Sequence, residues 1–158
     1  MTNTHADLIE KYRKGYDAVI DALKGATPAE LEHRPGPGKW SAKEVVHHLA
    51  DSETMAAMRI RLVVGKSGSL ICGYDPDQFA VKFNYNSRPI ENALAAFKIA
   101  HETTLEILPH FTAEDWSRQA WHTESGLYSA EKWLATYSKH SHDHAGQIRR
   151  AIESARQK

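Results

Sequence analysis

Residues 41–65 read Ser41-Ala-Lys43-Glu44-Val45-Val-His47-His48-Leu-Ala-Asp51-Ser52-Glu53-Thr54-Met55-Ala-Ala-Met-Arg59-Ile-Arg61-Leu62-Val-Val64-Gly65. Ser41 and Glu44 make an S-x-x-E capping box, in which each side chain satisfies the other residue's orphan backbone donor at a helix start. The run continues to Val64, and Gly65 is suited to ending it. This predicts a helix of about 24 residues, roughly 36 Å long at ~1.5 Å per residue. Its inward line holds Val45, His48, Ser52, Met55, Arg59 and Leu62. His47 lies about 100° away, on the side of Lys43, Asp51, Thr54 and Arg61.

Three further segments carry helical periodicity on either side of this one. Leu8, Tyr12, Val19 and Leu23 share a face, with Gly25 as the stop. A third helix begins near Pro89, with the stripe Ile90, Leu94, Phe97, His101, Leu105 and Leu108. The fourth starts near Ser129 and places Trp133, Tyr137, His140, His144, Ile148 and Ala151 on one face. Short helical turns are expected at Pro28–His33 and at Thr112–Asp115, and Gly126 marks a turn. No period-2 run is convincing, so the chain reads as all-α. The gap at 65–88 is long enough to return the chain along the whole second helix, which needs at least ~11 extended residues at ~3.3 Å each. A four-helix bundle with one long crossover between helices 2 and 3 is the economical architecture.

Composition limits what such a bundle does. The 158 residues, 17.8 kDa, have room for one domain, 1–158, and 41% hydrophobic with 25% charged residues excludes wholesale disorder. Twenty Lys+Arg balance twenty Asp+Glu, so the basic footprint of a nucleic-acid binder is missing. One cysteine, Cys72, excludes an intramolecular disulfide framework. The N-terminus has no apolar signal core, and no stretch approaches the ~18 apolar residues of a membrane span. A soluble, cytoplasmic protein is expected. Ten histidines are the unusual count, and they direct attention to a metal.

His140 and His144, four residues apart, project from neighbouring turns about 40° apart, within the apolar stripe of the last helix. That spacing serves either a shared metal or two buried imidazoles with ordinary hydrogen bonds. A third ligand from another helix is best supplied by His48, on the inward line. Three neutral imidazoles leave a coordination position open, as in catalytic rather than structural zinc sites. Asp51 and Glu53 are candidates for a fourth ligand but lie off that line. His142 points away from His140 and is expected in solvent, and His101 is expected to be a hydrogen-bonded core histidine. His5, His33, His110 and His122 fall in termini or loops. Arg59, about 16 Å beyond His48 along the helix, is expected to pair with Asp75 or Asp77, or else to hold an anionic substrate group. Ser141 follows His140 where a zinc protease needs Glu, and G-x-S-x-G, G-x-G-x-x-G and P-loop patterns are missing. Cys72 reads as inert.

The run Lys39–Glu53, followed by Arg59-Ile60-Arg61-Leu62, Tyr74-Asp75-Pro76-Asp77 and Tyr137–Ile148, resembles the signature of the DinB/YfiT-like superfamily over roughly residues 35–150. The chain looks closest to the YfiT-like branch, departing from it in a short N-terminus and in Glu53, where some members carry His. The resemblance implies a four-helix bundle of up-down-down-up topology. It implies one divalent metal ion, nickel or zinc, on His48, His140 and His144, and it implies a homodimer. The cluster Trp116, Trp121 and Trp133 is compatible with an isologous apolar patch. Relatives include thiol S-transferases, a thiol-dependent maleylpyruvate isomerase and proteins called metal-dependent hydrolases. The expected function is therefore transfer of a small-molecule thiol to an electrophile. Metal-dependent hydrolysis, or a non-catalytic metal- or ligand-binding bundle, are the alternatives. No catalytic side chain is assigned, and Asp51, Glu53 and His101 are the candidates for a base.

Overall fold

The structure, a computed structural model, describes residues 4–66 and 68–157, so residue 67 of the crossover lies outside the described part. The elements run α1 (His5–Arg13), α2 (Gly15–Leu23), α3 (Pro28–Glu32), α4 (Ala42–Gly65), β1 (Leu70–Ile71), α5 (Pro76–Lys82), α6 (Glu91–Ile107), α7 (Ala113–Ser117), β2 (Gln119–His122), β3 (Gly126–Ser129) and α8 (Ala130–Arg156). Short 3-10 turns lie at Tyr85–Ser87 and Leu108–His110. Capping explains the starts: Thr4, Thr27, Ser41 and Thr112 each form a complete capping box, and the Ser129 hydroxyl accepts from the Lys132 amide.

Side-chain pairs give the directions of the four long members. His48 meets His144 while Ala56 meets Trp133, so α4 and α8 are antiparallel. Glu53 meets His101 and Arg61 meets Thr104, so α6 runs parallel to α4. Lys11 meets His142 and Ala18 meets Arg149, which sets α1–α2 parallel to α8. The order is up-down-down-up, with α1 and α2 together forming the first member. The crossover that permits two consecutive parallel helices carries β1, α5 and the 3-10 turn at Tyr85–Ser87.

Two differences from the sequence reading have simple causes. The first helical segment is broken at Lys14 into α1 and α2. Gly15 sits at the break, where a Cβ would come within 3.0 Å of the Ser141 Cβ; its lack of a side chain lets α8 approach. The second difference is a small three-stranded sheet beside the bundle, in the order β1-β2-β3, parallel then antiparallel. Its strands of two and four residues are too short to show alternation in sequence. Gly126, at φ 69°, begins β3 at the turn of the β2–β3 hairpin.

The core has two apolar parts. One gathers Tyr12, Ala56, Ile60, Leu108 and Trp133, and the other Val19, Val45, Leu49, Phe97 and Ile148. Along each long helix the two parts are separated by a polar belt. Gly15 lies there on α2, His48, Ser52 and Glu53 on α4, His101 on α6, and His140, Ser141 and His144 on α8. The belt holds the site.

Candidate metal centre

On α4 the inward line brings His48 to the face of α8, and the i, i+4 pair on α8 brings His140 and His144 to meet it. One ring nitrogen from each lies within 4.8 Å of the others. The ring centroids are 4.5 Å apart for His140 and His144, 4.8 Å for His48 and His144, and 5.5 Å for His48 and His140. His48 is only 7% exposed, and His140 and His144 are half-buried.

Burial disfavours the charged imidazolium at all three positions. It pulls His48 and His140 down to about 3, with the neighbouring imidazoles adding to the effect. His144 is lowered by the same burial. At neutral pH the three rings are therefore uncharged bases with lone pairs available. His144 Nδ1–H donates to the Gln147 Oε1 at 2.8 Å, which fixes the tautomer and leaves Nε2 as the free donor atom. His140 Nδ1 is buried without a hydrogen-bond partner. Such orphans are rare in interiors, and a cation at the cluster accounts for a group of neutral imidazoles that do not bond one another. The donor set fits a divalent transition metal.

Around the rings, Trp40 packs on His48 at 5.0 Å and is itself held by donation from Nε1 to Asp77 Oδ1 at 2.9 Å. Tyr137 packs edge-on to His140 at 5.6 Å. Gln147 could have been found from sequence, since it stands at i+3 from His144. Tyr137, three residues before His140 on the same stripe, carries the same local signal, whereas Trp40 carries none, because its placement depends on how α5 holds it.

Residues 11–148 match the DinB superfamily. The chain belongs to that superfamily. A protein of Oceanobacillus iheyensis named "Putative metal-dependent hydrolase OB0782" is 32% identical over 111 residues, 70% of this chain and 64% of that protein. The chain thus spans somewhat less than two thirds of that relative's length. A Bacillus pumilus protein of the same description is 27% identical over 146 residues, covering 90% of this chain and 81% of its own. The solved structure of YfiT from Bacillus subtilis, described as a probable metal-dependent hydrolase with an unusual four-helix bundle topology, superposes with a TM-score of 0.87. It is 23% identical and covers 94% of this chain and 86% of that one, which establishes the DinB fold here.

Other sequence-predicted residues of this DinB chain are placed as follows. His47 is buried as well, but on another side: it stacks on Tyr85 at 5.3 Å, and its Nε2 lies 3.3 Å from the Arg88 carbonyl. Glu53 and Asp51 are engaged away from the cluster. Glu53 accepts from the Tyr12 hydroxyl and lies 3.3 Å from His101 Nδ1, and Asp51 accepts from the Tyr85 hydroxyl. His101 is a core histidine, with its Nε2 3.4 Å from the Arg13 carbonyl. His142 is half-buried rather than solvated, because α1 packs over that side of α8 and the Lys11 carbonyl lies 2.9 Å from its Nε2. Arg59 makes no salt bridge with Asp75 or Asp77: Asp75 caps α5, and Asp77 takes the Trp40 proton. Cys72 is exposed, after β1.

Proposed function

We propose that this DinB protein is a metal-dependent enzyme that transfers a small-molecule thiol to an electrophile. One observation supports it most: three neutral imidazoles converge, while the nearby carboxylates are occupied elsewhere. A divalent cation, nickel or zinc, would be held by His48, His140 and His144 and would supply acidification of a bound thiol or water. His48, His140 and His144 enter as neutral bases because burial keeps them so. Gln147 holds the His144 proton on Nδ1, away from the cluster. Trp40 packs against the His48 ring at 5.0 Å and helps to hold it in place.

Asp51 and Glu53 already accept from phenols, and Asp143 is exposed on α8. Among the described residues, neither Asp51 nor Glu53 is free to move a proton beside the rings, and Asp143 acts on His144 through its charge without a hydrogen bond to it. A thiol ionises without such a base, whereas water attack and leaving-group protonation gain from one. This favours the thiol over hydrolysis. The relatives' names favour hydrolysis, which is the second reading.

The test compares metal-free and metal-reloaded protein with a haloaromatic or epoxide and a panel of thiols. Thiol transfer restored only by metal is expected. Metal-dependent ester or amide cleavage without thiol transfer would put hydrolysis first. Neither activity, with metal bound, would leave a binding bundle.

The same reading takes the protein as a homodimer. Trp133 and Trp116 are buried within this chain, but Trp121 is 57% exposed beside Leu70 and Leu127 across the sheet. That row is the apolar surface available for a second copy. Light scattering at twice the chain mass is expected, and a concentration-independent monomer would contradict it.

A further inference from the structure

Among the described residues, no carboxylate forms an ion pair with the Arg59 guanidinium. Arg59 is half-buried on α4. Its Nη1 donates to the Tyr137 hydroxyl at 3.2 Å and its Nη2 to the Cys72 carbonyl at 2.9 Å. Its guanidinium carbon stands 5.8 Å from the centre of the Tyr74 ring. Both hydrogen-bond acceptors are neutral oxygens. The carboxylates within reach by sequence or packing are otherwise engaged: Asp51 with Tyr85, Asp75 with the start of α5, and Asp77 with Trp40. The exposed Glu124 lies over Gly73 and does not pair with Arg59.

A guanidinium has five N–H donors. Two are fixed here, which holds the group in one orientation, and three remain for a ligand. The aromatic wall that holds it leads to the three-histidine cluster, because the Tyr137 ring that receives Arg59 is the ring packed on His140. Ser52, buried one turn beyond His48, lies within reach of the Tyr74 and Tyr137 phenols and continues that wall along α4. A positioned, partly desolvated guanidinium at the end of such a wall suits a planar anion. A single cation balances a single negative charge. A phosphate monoester, at about −1.5 to −2 near pH 7, would remain under-neutralised.

We propose that Arg59 is the carboxylate-binding residue of this site, and that the substrate the metal centre acts on carries a carboxylate. This rests on the thiol-transfer reading above, and the test separates the two. Metal-loaded protein is titrated calorimetrically with ω-mercaptoalkanoates of increasing chain length, each alongside its uncharged primary amide. At the length that spans from the cluster to Arg59, the acid should bind about tenfold tighter than the amide or better. The preference should weaken with salt. Arg59→Gln should abolish the preference, so that acid and amide bind alike, and Arg59→Lys should keep part of it. Binding of both probes should weaken together when the metal is removed.

Equal affinity of acid and amide at every length, with binding still dependent on metal, overturns the assignment of Arg59 and leaves the thiol reading intact. Binding indifferent to metal, with acid still preferred in wild type and not in Arg59→Gln, removes the thiol reading and keeps the carboxylate site. Should Arg59→Gln unfold, the acid–amide comparison in wild type and in Arg59→Lys decides.

Discussion

At His144 the ring nitrogen turned away from the cluster donates to Gln147, and that one bond decides which nitrogen faces inward. Outer partners of this kind typically change metal affinity by about 10–100-fold when removed. Gln147→Leu should therefore weaken binding by roughly that factor without emptying the site at high metal concentration, as read by competition with a chromophoric chelator. An unchanged affinity would mean that packing alone orients the ring. Cys72 offers the opposite expectation. It is exposed, and in the proposed transfer the nucleophile would belong to the thiol cosubstrate, so Cys72→Ser should leave the transfer rate nearly intact. A rate that vanishes with Cys72 but survives chelation would point to a protein-thiol mechanism.

At the scale of elements, the polar belt is what holds α1, α4 and α6 in register. Glu53 is fully buried and shared between Tyr12 on α1 and His101 on α6. Replacing Glu53 with Ala removes the acceptor shared by the Tyr12 hydroxyl and His101 Nδ1, and a loss of about 1–3 kcal/mol is expected from urea unfolding. A loss below about 1 kcal/mol would show that the belt is held by packing. The helices and the His140–His144 pair were legible in sequence because capping boxes and i, i+4 spacing are local. His48 was legible because the inward line of α4 is long enough to orient it. The expected pairing of Arg59 with Asp75 or Asp77 fails for a non-local reason: capping α5 and holding Trp40 take those carboxylates first. The sheet was missed because β1 is two residues long and pairs with β2, some fifty positions away.

For the whole molecule, the cluster joins α4 to α8, and a ligand bound only by the folded state stabilises it by RT ln(1 + [L]/Kd). Chelation should lower the melting temperature, and an unchanged value with metal loss confirmed would contradict a tying role. In metal-free protein, burial keeps His48 and His140 at about 3, against 6.5 in the unfolded chain. Between those values the unfolded chain binds more protons than the folded one. The contribution of these two rings is thus complete above pH 6.5 and is lost progressively as pH falls towards 3. Urea midpoints of metal-free protein should fall between pH 7 and about 5, and the slope should lessen in a His48→Gln variant.

The central claim is that His48, His140 and His144 together hold one divalent ion, and metal stoichiometry measured by plasma mass spectrometry on reloaded, desalted protein tests it most directly. Wild type and His47→Gln should each carry one ion per chain, while His48→Ala, His140→Ala and His144→Ala should each lose most of it. Full occupancy in His48→Ala, or a site emptied by His47→Gln instead, would contradict the account.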